Sequence, residues 1–207
     1  MNRSRNGLVF GVVAACVCVR GERLHGQSER IDDEKAIKVK AAYLFNFTKF
    51  VTWPAIAFEH EASPIVIGVV GTDPFGDVLD QTLRDKTVSG RKLEARRFSW
   101  RSGDDVSSAK KCHLLYFSPS LGDHAQALIR GLAKSHVLLV GEGEGFCKVG
   151  GMIGFVIDNA RVVFWANQTE AAAAGLELSA QLLKLAQLVE TVVQNADPHA
   201  GTKTKGE

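Results

Sequence analysis

No stretch of this sequence is apolar for long enough to cross a membrane. The best run, Gly7–Val19 (GLVFGVVAACVCV), falls short of the roughly 20 residues that a spanning helix needs. Metal-ligand spacing is missing as well: His25, His60, His113, His124, His136 and His199 contain no HxxxH or HExxH pattern. A basic surface is lacking. The formal charge is +2, but the first 26 residues carry Arg3, Arg5, Arg20 and Arg23 against Glu22, a net of +3, which leaves −1 for the rest. That excludes recruitment by nucleic-acid phosphates as the organising idea. Internal repeats are absent, and no catalytic constellation stands out. Asp104 and Asp105 sit beside Gly and Ser, as solvated turns do. Cys112 and His113 are neighbours on an expected strand, so they point to opposite faces and cannot act on each other.

What is present suits one folded domain. The 207 residues are 45% hydrophobic and 23% charged, ordinary values for a globular chain. The opening reads as an export signal: Arg3 and Arg5, the short apolar core, then the polar stretch RGERLHGQS. Residues 1–26 are assigned to it, with cleavage somewhere between Ala15 and Ser28. Val13-Ala14-Ala15-Cys16 also has the form of a lipobox, although the apolar run continues past Cys16 to Val19. Plain export to the periplasm is preferred, and lipid anchoring through Cys16 is the variant. Export permits disulfides. Cys112 nevertheless begins an expected strand while Cys147 follows the end of a neighbouring one, so the two thiols are expected to be buried and free, or bridged between subunits.

The domain, 33–193, is expected to be α/β. Ile65–Gly71 (IVIGVVG) has the continuous β-branched character of a strand buried on both faces. Asp73 and Pro74 are expected to cap and open a helix with the stripe Phe75, Val78, Leu79 and Leu83. Val88–Phe98 alternates as a second strand, Ser107–Lys111 makes a short helix, and Cys112–Phe117 forms a third strand. Ser120 is read as the cap of a helix over Leu121–Ala133, and Val137–Val140 as a fourth strand. Gly141–Gly145 (GEGEG) is read as a flexible loop with no helix after it, because two glutamates would repel a phosphate. Met152–Asp158 and Arg161–Asn167 form a hairpin. An alanine-rich helical segment follows, then a long helix from Ser179 with Leu182, Leu185, Ala186, Val189, Val192 and Val193 on its apolar side. Residues 195–207 read as a disordered tail. The sum is a layered sandwich with a largely parallel central sheet, a C-terminal β-hairpin and flanking helices.

Lys40–Pro54 (KAAYLFNFTKFVTWP) is the stretch around which the rest is organised. Ile37, Ala41, Leu44, Thr48 and Val51 share one helical face, while Tyr43, Phe47 and Phe50 share an adjacent one. A helix apolar over so much of its circumference must be covered from two sides. Core on both sides is the preferred reading on general burial grounds, and core on one side with a second protein on the other is the alternative; composition alone does not decide between them.

That stretch resembles the opening signature of the YfiR family. Gly150–Ala186 (GGMIGFVIDNARVVFWANQTEAAAAGLELSAQLLKLA) resembles its closing signature, with CHLLYF and VLLVGEGEGF in order between them. Two departures stand out: Trp165-Ala166 replaces an acidic-then-aliphatic pair before Asn167, and Ala180 stands where a second Ser is common. The resemblance implies a non-enzymatic regulatory protein of cyclic di-GMP signalling. It would dock on the periplasmic sensor domain of an inner-membrane protein such as a diguanylate cyclase and repress it, with no cofactor, metal or catalytic residue. Tyr43, Phe47, Phe50, Trp53 and Trp165 are the expected partner-binding residues, and homodimerisation could use the same helix. The alternative is a periplasmic small-molecule-binding module serving a sensor kinase or transporter, with its site at Gly71–Gly76 (GTDPFG) on the strand ends.

Overall fold

The computed structural model describes residues 25–189 apart from 102, 103 and 105. The expected export signal up to residue 24, Cys16 and Cys18, Asp105, Val192, Val193 and the expected tail at 195–207 lie outside the described residues. Helix α1 runs His25–Phe50. It ends where Val51, Thr52 and the pre-proline Trp53 favour extended backbone. Val51–Thr52 (β1) then pairs antiparallel with Glu177–Leu178 (β9). The pre-proline stop expected from the sequence thus holds, but the last residues before it make a small strand that ties α1 to the C-terminal region.

The remaining strands are β2 (Ile65–Val70), β3 (Thr87–Val88), β4 (Arg91–Phe98), β5 (Leu114–Phe117), β6 (Leu138–Glu142), β7 (Ile153–Asp158), β8 (Arg161–Ala166) and β10 (Gln187–Leu188). They form one eight-stranded sheet in the order β10-β8-β7-β6-β5-β2-β4-β3. Only β7–β8 and β3–β4 are antiparallel. The expected α/β sandwich with a largely parallel sheet and a C-terminal hairpin is what the chain forms. Every residue of β2 and of β5 is buried, which is why they read as unbroken apolar runs. At the β7–β8 turn both Asn159 and Ala160 have positive φ, 47° and 59°, the geometry that matches strand twist in a two-residue hairpin.

Helices α2 (Asp77–Leu83), α3 (Ser107–Lys110), α4 (His124–Gly131), α5 (Gly143–Lys148), α6 (Gln168–Ala173) and α7 (Ala180–Leu185) complete the fold. Several depart from the sequence reading. Asp73 does not cap α2. Its Oδ1 accepts from the Phe75 amide at 2.7 Å and closes a turn ahead of the helix, which starts only after Gly76. Ser120 does not cap α4 either, because its hydroxyl accepts from the Thr72 amide across the loop at 2.8 Å. Pro119–Leu121 forms a separate 3-10 turn, and Gly122, at φ 50°, divides it from α4. The Val88–Phe98 strand is two strands, broken at Ser89 and Gly90 by positive φ.

Two larger corrections concern the C-terminal half. Gly141–Gly145, read as a loop with no helix after it, instead ends β6 and opens helix α5, Gly143–Lys148. It can lie against the sheet because Gly141 and Gly151 carry no Cβ: one built on either would sit 2.6 Å and 2.2 Å from the Phe146 ring. The long helix from Ser179 is the other. The helix begins at Ser179 as read, with the Ser179 hydroxyl capping α7 by accepting from the Leu182 amide at 3.2 Å, but it stops at Leu185. Ala186 turns extended and the chain becomes β10, parallel to β8, with the Val189 amide donating to the Ala166 carbonyl at 3.0 Å. The backbone groups of β8 need partners, and pairing with them overrides the helical pattern of the side chains. Leu185 and Leu188 consequently stand exposed.

Candidate docking surface and the ends of the sheet

α1 lies across one face of the sheet beside β8 and packs on α2 as well. The expected cover from two sides is therefore internal for much of the helix. Phe47 is only 2% exposed. It stacks on Phe155 (centroids 5.8 Å apart, 23° between planes) and meets Phe164 edge-on at 5.2 Å. Such pairs are favourable beyond the area they bury. Trp53 is 9% exposed, and its Nε1 donates to the His113 carbonyl at 3.0 Å. Both side chains are core in the isolated chain.

Tyr43, Phe50 and Trp165 are half-buried and keep accessible surface. Tyr43 stands edge-on to Phe164 at 5.4 Å. It also borders an open cavity of about 540 Å³ between the first half of α1 and the β7–β8 hairpin. Val39, Ile157 and Val162 supply apolar walls there, with Asp33, Lys35 and Arg161 at the edges. Ile157 is 57% exposed on a hairpin otherwise largely covered at its base. Nothing in the α1 pattern pointed to Ile157. Its place in the hairpin was legible, but not that α1 would leave it uncovered.

Trp165 falls elsewhere. Phe164 faces α1, so its neighbour on β8 faces the opposite side of the sheet. Trp165 pairs in register with Gly154, which lies against Gly143 and Cys147 of α5. The expected set is thus split into a buried pair, two residues with surface along α1, and one on the far face.

The carboxyl ends of β5 and β6 hold a polar cluster missed by the sequence reading. Lys40 of α1 donates to both carboxylate oxygens of Glu142, at 2.7 and 2.8 Å, and the Tyr116 hydroxyl donates to Oε1 at 2.5 Å. Burial, then the Glu142 charge, pushes the Tyr116 hydroxyl far above its ordinary range, so it stays a donor. Parity along the strand was an available signal: Leu138, Val140 and Glu142 alternate onto one face. The cluster latches α1 to the sheet. It holds no free base or nucleophile.

The neighbouring Gly71–Gly76 loop, where the small-molecule alternative places its site, is bound to its own surroundings. Arg97 donates to Asp73 at 2.6 Å, to Asp80 at 2.5 Å and to the Gly76 carbonyl at 2.8 Å. Both carboxylates and the Ser120 hydroxyl are thereby engaged within the fold.

Cys112 and Cys147 are free and buried, as expected. Burial pushes their thiols up to about 11 and about 12, the reverse of what nucleophilic sulfur requires. Among the described residues no group of three or more His, Cys, Asp or Glu side chains could hold a metal ion. No described helix is long and apolar enough to cross a membrane. A family model described as YfiR/HmsC-like matches residues 37–187, from the middle of α1 to the start of β10, and the chain belongs to that family.

Proposed function

We propose that this protein is an exported regulator that binds the periplasmic domain of an inner-membrane signalling protein, such as a diguanylate cyclase, and holds it inactive. Family membership across residues 37–187 supports the regulatory reading, since the family is one of periplasmic regulators in cyclic di-GMP signalling. The observation that carries the docking surface is the open apolar cavity between α1 and the hairpin, with Tyr43 on its wall and Ile157 at its mouth. Tyrosine is a favoured interface anchor because it buries a large rigid area while keeping a polar tip. Phe50 extends the accessible aromatic strip along α1.

Phe47 and Trp53 serve this reading indirectly. They fix the height of α1 above the sheet, so truncating them opens the core rather than probing the surface. The informative variants are Tyr43→Ala and Ile157→Asp. The test is a cross-linking pull-down of the tagged protein from its own envelope. The wild-type chain is expected to recover a membrane cyclase with a periplasmic sensor domain, and the two variants to lose at least tenfold of that recovery while retaining the native circular dichroism spectrum. Undiminished recovery by both folded variants would remove this surface from the proposal. Recovery of no cyclase would remove the partner class.

A further inference from the structure

A second cavity, of about 320 Å³, opens at the opposite end of the sheet, where β2 and β5 begin. Its size lies at the lower end of the range for small-ligand sites, roughly 300–1,000 Å³. The wall is chain 54–64, held by Arg91, whose guanidinium lies 3.8 Å over the Phe58 ring and donates to the His60 and Ser63 carbonyls at 3.1 and 2.8 Å. Phe58 in turn stacks on His113, 4.4 Å away. Arg96 of β4 and Lys110 and Lys111 at the end of α3 bring three permanent cations to the lining, against the single carboxylate of Glu59. Arg96 reaches only its exposed neighbour Glu94, at 3.3 Å, and among the described residues the two lysines have no ion-pair partner.

The second observation is His113 itself. It is 6% exposed and borders the cavity. Its Nδ1 accepts from the Val66 amide at 3.0 Å, which places the ring proton on Nε2. Nε2 is buried and closes no hydrogen bond of normal geometry, although the Ala57 carbonyl acts on the ring. A buried donor without a well-formed hydrogen bond is uncommon and costly. It sits beside a cavity whose charge is of the sign that attracts acceptors.

We infer that this cavity binds a small organic anion, whose charged head meets Lys110, Lys111 and Arg96 and whose apolar part rests on Val66 and Ile56. Both apolar residues line the cavity, and Ile56 is strongly exposed at its rim. His113 supplies the buried donor at the base. The site does not depend on the docking surface along α1, so each can fail without the other.

The experiment is a heteronuclear NMR titration of the exported protein with phenyl phosphate, with benzoate and inorganic phosphate in parallel and sodium chloride as the ionic-strength control. Phenyl phosphate is expected to give saturable shifts of the His113 ring signals and the Val66 amide, with a dissociation constant in the millimolar range or tighter. The Lys110→Glu/Lys111→Glu variant, altered only at exposed positions, is expected to weaken it at least tenfold with an otherwise native spectrum. Arg96→Ala provides an independent second reduction. Benzoate binding as well as phenyl phosphate assigns recognition to the negative charge, and preference for phenyl phosphate assigns it to the phosphate group; both support the site. Shifts that do not saturate, that match the chloride control, or that persist unchanged in the lysine variant would overturn it.

Discussion

The two ends of the parallel strands are built on opposite plans. At the carboxyl end, where open α/β sheets commonly bind ligands, Lys40, Glu142 and Tyr116 satisfy one another, and Arg97 joins Asp73, Asp80 and the Gly76 carbonyl. At the amino end Lys110 and Lys111 have no ion-pair partner among the described residues, Arg96 of β4 reaches only its exposed neighbour Glu94, and the buried His113 Nε2 closes no well-formed hydrogen bond. A polar group already paired inside the fold has little left to offer a ligand, because a newcomer must first replace a good bond. Fold-level precedent about where α/β proteins bind therefore yields to the state of the particular groups.

The largest effect that would sharpen this contrast is expected at Glu142. Glu142→Ala strands Lys40, whose side chain is 15% exposed, and leaves the Tyr116 hydroxyl without its acceptor. Removing one partner of a largely covered pair costs about 3 kcal/mol. Urea denaturation is expected to show that loss with an unchanged slope, and a loss under about 1 kcal/mol would mean that the latch is solvated.

A smaller effect comes from the open end. Burial pushes the His113 ring down from 6.5 to about 4, with Arg91 and Arg96 adding to the shift and the Ala57 carbonyl opposing it. Between those values the unfolded chain takes up a proton that the folded chain refuses. Stability from this group is complete above about pH 6.5 and falls as the pH drops through the window toward 4. The full shift corresponds to about 3 kcal/mol at ~1.4 per unit, and water in the adjoining cavity reduces the expected loss to about 2 kcal/mol. Stability measured against pH is expected to lose that part of its slope in His113→Asn, whose amide oxygen can still accept from Val66. An unchanged slope would show that the ring titrates normally.

Arg97→Ala should have the smallest effect. Its guanidinium is 34% exposed and Asp80 is 46% exposed, so the expected cost is about 1 kcal/mol or less. If 0.5 M salt leaves that cost undiminished, the clamp is less screened than its exposure implies.

The strands were readable because burial on both faces demands what β2 and β5 display, unbroken apolar runs. The hairpin showed in its paired apolar segments, even with Ala160 in an unfavourable turn conformation. Other features were not local. The helical spacing of Leu182, Leu185 and Val189 was genuine, yet the need of β8 for backbone partners drew the chain into β10 after Leu185. Asp73 and Ser120 are good caps by type, but their oxygens were taken by Phe75, Arg97 and Thr72. Glu142 looked like half of a repelling pair in a glycine loop until Lys40, distant in sequence, was placed beside it.

The same division runs through the candidate sites. Residue order alone determined the α/β class, the burial of the two cysteines and the aromatic character of α1, since each depends on periodicity or residue type along one segment. Which aromatic side chains retain a surface, which charges are spent, and which end of the sheet stays open were decided only by tertiary packing. Tyr43 and Phe47 are four residues apart on one helix, and only the position of the β7–β8 hairpin leaves the first with open surface and buries the second. His113 likewise reads as an ordinary strand residue until Val66 takes one of its nitrogens and the fold leaves the other without a well-formed hydrogen bond, because hydrogen-bond satisfaction is a property of neighbours in space.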